Sequence, residues 1–252
     1  MNLVGFGATD VGQVREKNED AFLVDEARRL YLVADGMGGH AGGGFASSHA
    51  AAAVVEDLER QEAGQDQTLP LKDDPGRTMT QLQLLHALRY TNEVLFQRSL
   101  SDSQLRGMGT TLTSLKFDDR YANLAHVGDS RAYLIRDGKL RQITEDHSWV
   151  QEQVRAGVLT PEEARLHPLK NIITRSMGHE REVRVDLFKE EYRVGDRYLL
   201  CSDGLTNMVQ DAEILETVNR TPPQPAVERL IQRAREEGGL DNITVVVVAV
   251  EE

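Results

Sequence analysis

A chain of 252 residues is long enough to bury a sizeable core, and its 40% hydrophobic and 28% charged residues exclude wholesale disorder. With 29 Lys and Arg against 41 Asp and Glu, its net charge of −12 argues against a phosphate-backbone binder of nucleic acid. A single cysteine excludes an intrachain disulfide and a cysteine metal cluster, and fits a reducing compartment.

The first residues, Met1–Val14, lack the basic start and long apolar run of a signal peptide. The longest apolar runs, Ala50–Val55 and Val245–Val250, fall far short of the roughly 20 residues that cross a bilayer. The expectation is a cytoplasmic protein without a membrane segment. Short apolar runs predict strands at Leu3–Thr9, Ala21–Asp25 and Leu30–Asp35. Two helices are predicted next. One covers Gly43–Arg60, with Ala50–Ala53 small enough to pack close to a sheet. The other covers Thr78–Ser99, with Leu85, Leu88, Asn92 and Leu95 on one stripe. The polar stretch 61–77 between them reads as a surface loop.

Strands follow at Thr110–Phe117, Tyr121–Val127 and Ala132–Arg136, joined at Asp118-Asp119 and Asp137-Gly138 as hairpins join, with Lys139–Ile143 as a return strand. Thr160-Pro161-Glu162-Glu163 is a helix start, with Thr as cap, Pro in the first turn and Glu reaching back. Further strands are predicted at Val183–Phe188 and Arg197–Ser202. Val227, Leu230, Ile231 and Ala234 form a helical stripe that stops at Gly238-Gly239, before a last strand at Ile243–Val250. There is no internal repeat, low-complexity tract or compositional boundary, so one domain over 1–252 is expected. The order of elements predicts a layered α/β protein with antiparallel sheets.

Gly36-Met37-Gly38-Gly39-His40-Ala41 satisfies G-x-G-x-x-A between a predicted strand and a helix. A dinucleotide fold would need a parallel strand directly after that helix, ending in an acidic residue. Here a second helix follows, and Glu56 and Asp57 fall inside the first. A tight strand-to-helix turn is the plainer reading, with a nicotinamide oxidoreductase as the rival.

Several aspartates share one local context. Asp35 and Asp203 end apolar strands, Asp129 follows another, and Asp20 and Asp241 open two more. Strand-end Asp residues are ordinary turn formers. Asp137-Gly138 is explained that way, because an alternating return strand follows it. Asp35-Gly36 and Asp203-Gly204 lack such a return. If these ends converge, five carboxylates lie together and repel one another unless cations hold them. Oxygen donors without Cys or a His pair select Mg²⁺ or Mn²⁺ over zinc. Two such ions about 4 Å apart suit phosphate-ester hydrolysis. Arg15 precedes Asn18-Glu19-Asp20, and its fork could hold two phosphate oxygens. His40 could give a proton to a leaving oxygen near neutral pH. Cys201 lies in an apolar strand with no basic neighbour in sequence and reads as core, not nucleophile.

Taken in order, the motifs resemble the metal-dependent protein phosphatases of type 2C in their compact bacterial form. The matching pieces are Arg15–Asp20, Val33–His40, Gly109–Thr111, Val127–Arg131, Thr144–Ser148, His167-Pro168 with Ile173–Arg175, Cys201–Leu205 and Asp241–Thr244. They cover essentially the whole chain. The resemblance implies a four-layer α-β-β-α sandwich of two antiparallel sheets flanked by helices, with a small flap over about 145–177. It implies a binuclear Mn²⁺/Mg²⁺ centre between the sheets, with Asp35 bridging both ions and the Gly36 carbonyl assisting. Asp203 and Asp241 would complete one site, and Asp20 would hold or orient waters near it. A third, weaker ion would fall on Asp129 with Asp203. Arg15 would grip the substrate phosphate, His40 would be the general acid, and Glu19 and Asn242 would support the ligands.

The implied activity is hydrolysis of phosphoserine and phosphothreonine in proteins by an activated water, without a phospho-enzyme. The implied partners are phosphorylated proteins, among them a Ser/Thr kinase and its targets, and the expected state is a monomer. Phosphotyrosine or a small phosphate ester is an alternative substrate, and a catalytically silent phosphoprotein-binding module is an alternative function.

Overall fold

The computed structural model describes residues 1–38, 42–64 and 76–252. In chain order the elements are β1 (Asn2–Asp10), β2 (Asp20–Asp25), β3 (Leu30–Met37), α1 (Gly42–Glu62), α2 (Met79–Ser101), a 3-10 turn (Ser103–Leu105), β4 (Gly109–Thr110), β5 (Leu112–Phe117), β6 (Tyr121–Val127), β7 (Arg131–Arg136) and β8 (Lys139–Gln142). They continue with α3 (Trp149–Arg155), α4 (Pro161–Leu166), β9 (Asp186–Glu191), β10 (Arg197–Cys201), α5 (Asp203–Thr206), α6 (Asp211–Val218), α7 (Pro223–Glu236) and β11 (Ile243–Glu251).

One sheet runs β1-β11-β10-β7-β8. The other runs β2-β3-β5-β6-β9, with β4 on β3. Every strand pairing among the described residues is antiparallel. β3 therefore has no parallel neighbour, and the glycine motif after it lacks the sheet that a dinucleotide site requires.

Alternation along the strands divides the core into three layers. Leu30, Leu32 and Ala34 face α1 and α2, together with Ala46, Ala50, Val54, Leu84 and Leu88. Their neighbours Tyr31 and Val33 face the other sheet, against Leu200, Val246, Val248 and Val250. Val245 and Val247 turn outward to Val227, Leu230 and Ile231 of α7. Both sheets are thus covered on two faces. That is why their central strands read as unbroken apolar runs and not as an alternation. Each fully buried Val or Leu contributes roughly 1.5–3 kcal/mol. Edge-to-face contacts of Phe117 with Tyr192 and Tyr198, at 5.1 and 5.3 Å between centroids, lie in the layer between the sheets.

Local signals behave as their chemistry dictates. Asp137 and Gly138 have φ of 52° and 70°, the backbone of a two-residue hairpin turn whose twist matches its strands. Thr160 and Glu163 form the reciprocal cap that starts α4. Two expectations shift. α1 runs on to Glu62, so the polar stretch begins later than residue 61, and residues 65–75 of it lie outside the described residues. The strand expected at Val183–Phe188 is β9 at Asp186–Glu191. Val183 and Val185 pack against the helix-side core, and Asn92 Nδ2 holds the carbonyls of Glu180 and Arg181 at 3.0 and 3.1 Å. The chain there docks on α2, and pairing with β6 starts only at His126↔Asp186.

Register places the loop aspartates at one end of both sheets. Asp20 pairs with Asp35 across β2 and β3. Arg131 pairs with Cys201, and Cys201 with Val245, so the turns at 128–130, 202–203 and 241–242 leave their sheet together.

Candidate active site

Asp35 continues the strand face of Tyr31 and Val33, and Asp20 that of Phe22 and Val24, so both carboxylates point between the sheets. The main chain of Asp35 is clamped by two threonines. Its N–H donates to Thr111 Oγ1 at 2.9 Å, and its carbonyl accepts from Thr110 Oγ1 at 2.9 Å and from the Thr111 N–H at 2.8 Å. The next residue must be glycine. A Cβ on Gly36 would lie 2.2 Å from the Gly43 carbonyl oxygen and 2.4 Å from that of Glu19. The Gly36 N–H instead donates to the Glu19 carbonyl at 3.1 Å.

Asp20 is tied to the opposite sheet. Its Oδ2 accepts from Thr244 Oγ1 at 2.6 Å and from Ser202 Oγ at 2.9 Å. Because Thr244 gives its proton to Asp20, Thr9 must donate to Thr244, at 2.7 Å, and Asn18 Nδ2 in turn donates to Thr9. Asn242 ties three segments together. Its Oδ1 accepts from the Glu19 N–H at 2.8 Å, and its Nδ2 donates to the carbonyls of Val11 and Lys17. Asp241 Oδ1 accepts from the Asn242 N–H at 2.9 Å, and its Oδ2 from Arg15 Nη2 at 2.8 Å. Arg15 is about half exposed, with its guanidinium at the rim. Asp203 Oδ2 accepts from Asn207 Nδ2 at 2.9 Å, and Asn207 Oδ1 accepts from Lys170 Nζ at 3.2 Å.

The electrostatics are those of a carboxylate cluster. Burial first, then the charges of Asp20, Asp203, Asp129 and Asp241, hold the Asp35 carboxyl well above its usual range. Burial likewise pushes Asp20 up to about 7, against the lowering effect of Thr244 and Ser202. Asp203 is pushed up to about 6 by burial and Asp241. Asp129 is held high by burial and then by Asp203. The Arg15 guanidinium is raised by its bond to Asp241. Two oxygens of the cluster, Asp20 Oδ1 and Asp129 Oδ1, are buried without a hydrogen-bond partner among the described residues. Buried acceptors without donors are costly, and a cation relieves them. The donor set, all oxygen, fits hard divalent ions. As the side chains stand, no three of the described His, Cys, Asp or Glu are grouped tightly enough to hold a metal ion. Asp241, Asp203 and Asp20 are each engaged by a protein donor instead.

The structure thus brings together Asp20, Asp35, Gly36, Asp129, Asp203 and Asp241, with Arg15 at the rim and Glu19 and Asn242 behind. His40 lies outside the described residues. A Protein phosphatase 2C family match spans residues 13–245. The chain belongs to the protein phosphatase 2C family. Serine/threonine protein phosphatase PstP of Mycobacterium tuberculosis is 44% identical over 243 residues, covering 96% of this chain. This chain spans under half, 44%, of that relative's length. Protein phosphatase PhpP of Streptococcus pneumoniae is 41% identical over 250 residues, covering 97% of this chain and 96% of PhpP. A crystal structure of the catalytic domain of PstP in complex with two manganese ions superposes with a TM-score of 0.85 at 40% identity, covering 99% of each chain. The sandwich of two antiparallel sheets between helices is the fold expected of a type 2C phosphatase.

Sequence reasoning missed Ser202, Thr244, Thr111, Asn207 and Lys170. Ser202 and Thr244 sit inside motifs already singled out, and Asn207 is one helical turn after Asp203. Lys170 carries no local signal, because its approach to Asn207 depends on how segment 145–177 folds back. Cys201 is fully buried, and burial raises its thiol far from a thiolate. In this phosphatase 2C member it is core.

Proposed function

We propose that this chain is a serine/threonine protein phosphatase that hydrolyses phosphoserine and phosphothreonine in proteins by direct attack of water, without a phospho-enzyme. The carrying observation is the five-aspartate cluster at one end of the two sheets, with two orphaned carboxylate oxygens. Asp35, Asp203 and Asp241, with the Gly36 carbonyl and with Asp20 holding waters, are the residues that would hold two Mn²⁺ or Mg²⁺ ions. Asp129 with Asp203 is the candidate for a third. Such ions, when bound, lower the pKa of a shared water and neutralise phosphoryl oxygens.

The protein's own groups do the rest. Arg15, with Nη2 on Asp241 and the rest of its fork half exposed, receives the phosphoryl group and orients it for in-line attack. The Thr110–Thr111 clamp fixes the main chain of Asp35, so that its carboxylate would be held in place for an ion. Hydrogen bonds from Thr244 and Ser202 favour the ionised form of Asp20 and offset part of a burial that favours its acid form. His40 is assigned as proton donor to the departing serine or threonine oxygen, by the family resemblance. Segment 145–177, which seats α3 and α4 beside the 430 Å³ cavity lined by Asp129, Asp203, Arg165 and Lys170, is assigned as the flap that bears on substrate choice.

We assign phosphorylated proteins as substrates, among them a Ser/Thr kinase and its targets, and a monomeric, cytoplasmic setting. Among the described residues no helix is long and apolar enough to cross a membrane. The test is phosphate release from a phosphothreonine peptide with Mn²⁺, with EDTA, and with Asp241→Ala. Release that needs Mn²⁺ and fails in the variant supports the reading. Absence of release from folded protein that binds Mn²⁺ overturns it in favour of a silent binding module.

A further inference from the structure

His147, in the Thr144–Ser148 motif, has no part in the function so far. It is buried, with 5% of its surface exposed. Both main-chain groups of Gly128 go to it. The Gly128 N–H donates to His147 Nδ1 at 2.9 Å, and the His147 N–H donates to the Gly128 carbonyl at 2.8 Å. An imidazole whose Nδ1 accepts carries its proton on Nε2. That Nε2–H faces Asp186 Oδ2 at 3.1 Å. Arg175 Nη1 also approaches Nε2, at 2.9 Å. Both are donors, so the pair is gathered by Asp186, whose Oδ1 accepts from Arg175 at 2.9 Å. The His147 carbonyl accepts from the Thr174 N–H at 2.8 Å. The His126 ring packs alongside, 4.7 Å between centroids, and is spoken for by Thr113 and the Glu145 carbonyl.

Gly128 precedes Asp129. It has φ +115°, and a Cβ there would lie 2.5 Å from Thr111 Cβ, so the turn is tight and glycine-specific. Asp20, Asp203 and Asp241 each accept from another residue's side chain, whereas among the described residues the Asp129 carboxylate has only its own main-chain N–H as donor and its Oδ1 has none. What aims Asp129 is its main chain. We propose that His147 is a positioning residue for Asp129, clamping the Gly128–Asp129 turn with its Nε2–H tautomer fixed by Asp186. The proposal rests on the reading of Asp129 as an ion ligand. It also ties that ligand to segment 145–177, because Thr174 and Arg175 hold the other side of His147.

Two substitutions separate the two ring nitrogens. In H147N the amide oxygen stands where Nδ1 was and can accept from Gly128. In H147Q the terminal amide reaches where Nε2 was, and the acceptor is lost. Mn²⁺ binding to the full chain is followed by calorimetry for wild type, D129A, H147N and H147Q, with Gly128 amide hydrogen exchange read by NMR in EDTA. D129A should remove the weakest Mn²⁺ step. H147Q should weaken that step about tenfold or more, as loss of an outer-shell partner does, and H147N should stay near wild type. Gly128 exchange should quicken about tenfold in H147Q only, the worth of one lost hydrogen bond. If D129A binds Mn²⁺ like wild type, the reading of Asp129 fails and the proposal with it. If D129A is impaired while H147N and H147Q behave alike, the proposal alone fails. Wild-type protein gives a test that needs no variant. Long-range imidazole nitrogen spectra must show His147 protonated on Nε2, and the opposite tautomer overturns the clamp.

Discussion

Gly204 is the second residue of α5 and follows Asp203. A Cβ at Gly204 would lie 1.9 Å from the main-chain oxygen of Asn242, itself next to Asp241. Real Cβ contacts essentially never fall under 3.0 Å, so Gly204→Ala must drive these two segments apart by about 1.1 Å. Neither can yield as a flexible side chain would. Gly204 is buried against Leu205 and Ile243, and Asn242 is fixed by three hydrogen bonds to Val11, Lys17 and Glu19. Overpacking of this kind costs about 1–3 kcal/mol. In a chain of this size that lowers Tm by roughly 2–12 °C. The same displacement separates two candidate ligands, and misplacement of about 1 Å costs on the order of 100-fold in rate. The assay is differential scanning calorimetry in EDTA, Mn²⁺ titration and phosphopeptide turnover. Gly44→Ala is the control, because its Cβ would meet nothing closer than 3.8 Å. It should leave Tm level or slightly raised. A Gly204→Ala protein that matches the Gly44→Ala protein in Tm and Mn²⁺ affinity would refute the reasoning.

The raised carboxyls predict a pH dependence in EDTA. Asp20 moves from 3.8 to about 7 on folding, so its stabilisation is complete below pH 3.8 and lost as pH climbs through 7; burial raises Asp35 and Asp129 in the same direction. Buried His126, lowered to about 3, opposes this only below its unfolded value of 6.5. Tm in EDTA should therefore fall from pH 6.5 to 8, saturating Mn²⁺ should restore it, and a flat or rising curve would contradict the cluster. Arg15→Ala should raise KM for phosphopeptide about tenfold with little change in kcat, as loss of a charge-assisted contact predicts, and an unchanged KM counts against its phosphate role. Cys201→Ser should keep kcat and lose about 1–2 kcal/mol for a hydroxyl placed among apolar neighbours. A selective loss of turnover in folded protein would mean that the sulfur takes part.

Much of this was legible because the informative residues are locally constrained. Asp35-Gly36 and Asp203-Gly204 stood out once a hairpin failed to explain them, and both glycines prove to be pressed against main-chain oxygen. The ten strands and four helical stretches expected from the sequence recur as elements, because burial on two faces leaves long apolar runs. The short helices α3, α5 and α6 were not read, since seven, four and eight residues carry too little period. β9 was misplaced by three residues because Val183 and Val185 are apolar for packing on helices, not for pairing. The hydroxyls that hold Asp20 and the lysine that reaches Asn207 are contacts between distant segments, and no window of sequence contains both partners.

Asp20 meets Thr244 across 224 positions of chain, and β11, which carries Thr244, lies inside its sheet between β1 and β10. The site therefore cannot form before β11 has been made. A nascent chain that has not reached residue 241 has neither Asp241 nor the strand that seats Asp20. Assembly of the cluster waits on the segment that carries Asp241 and Thr244.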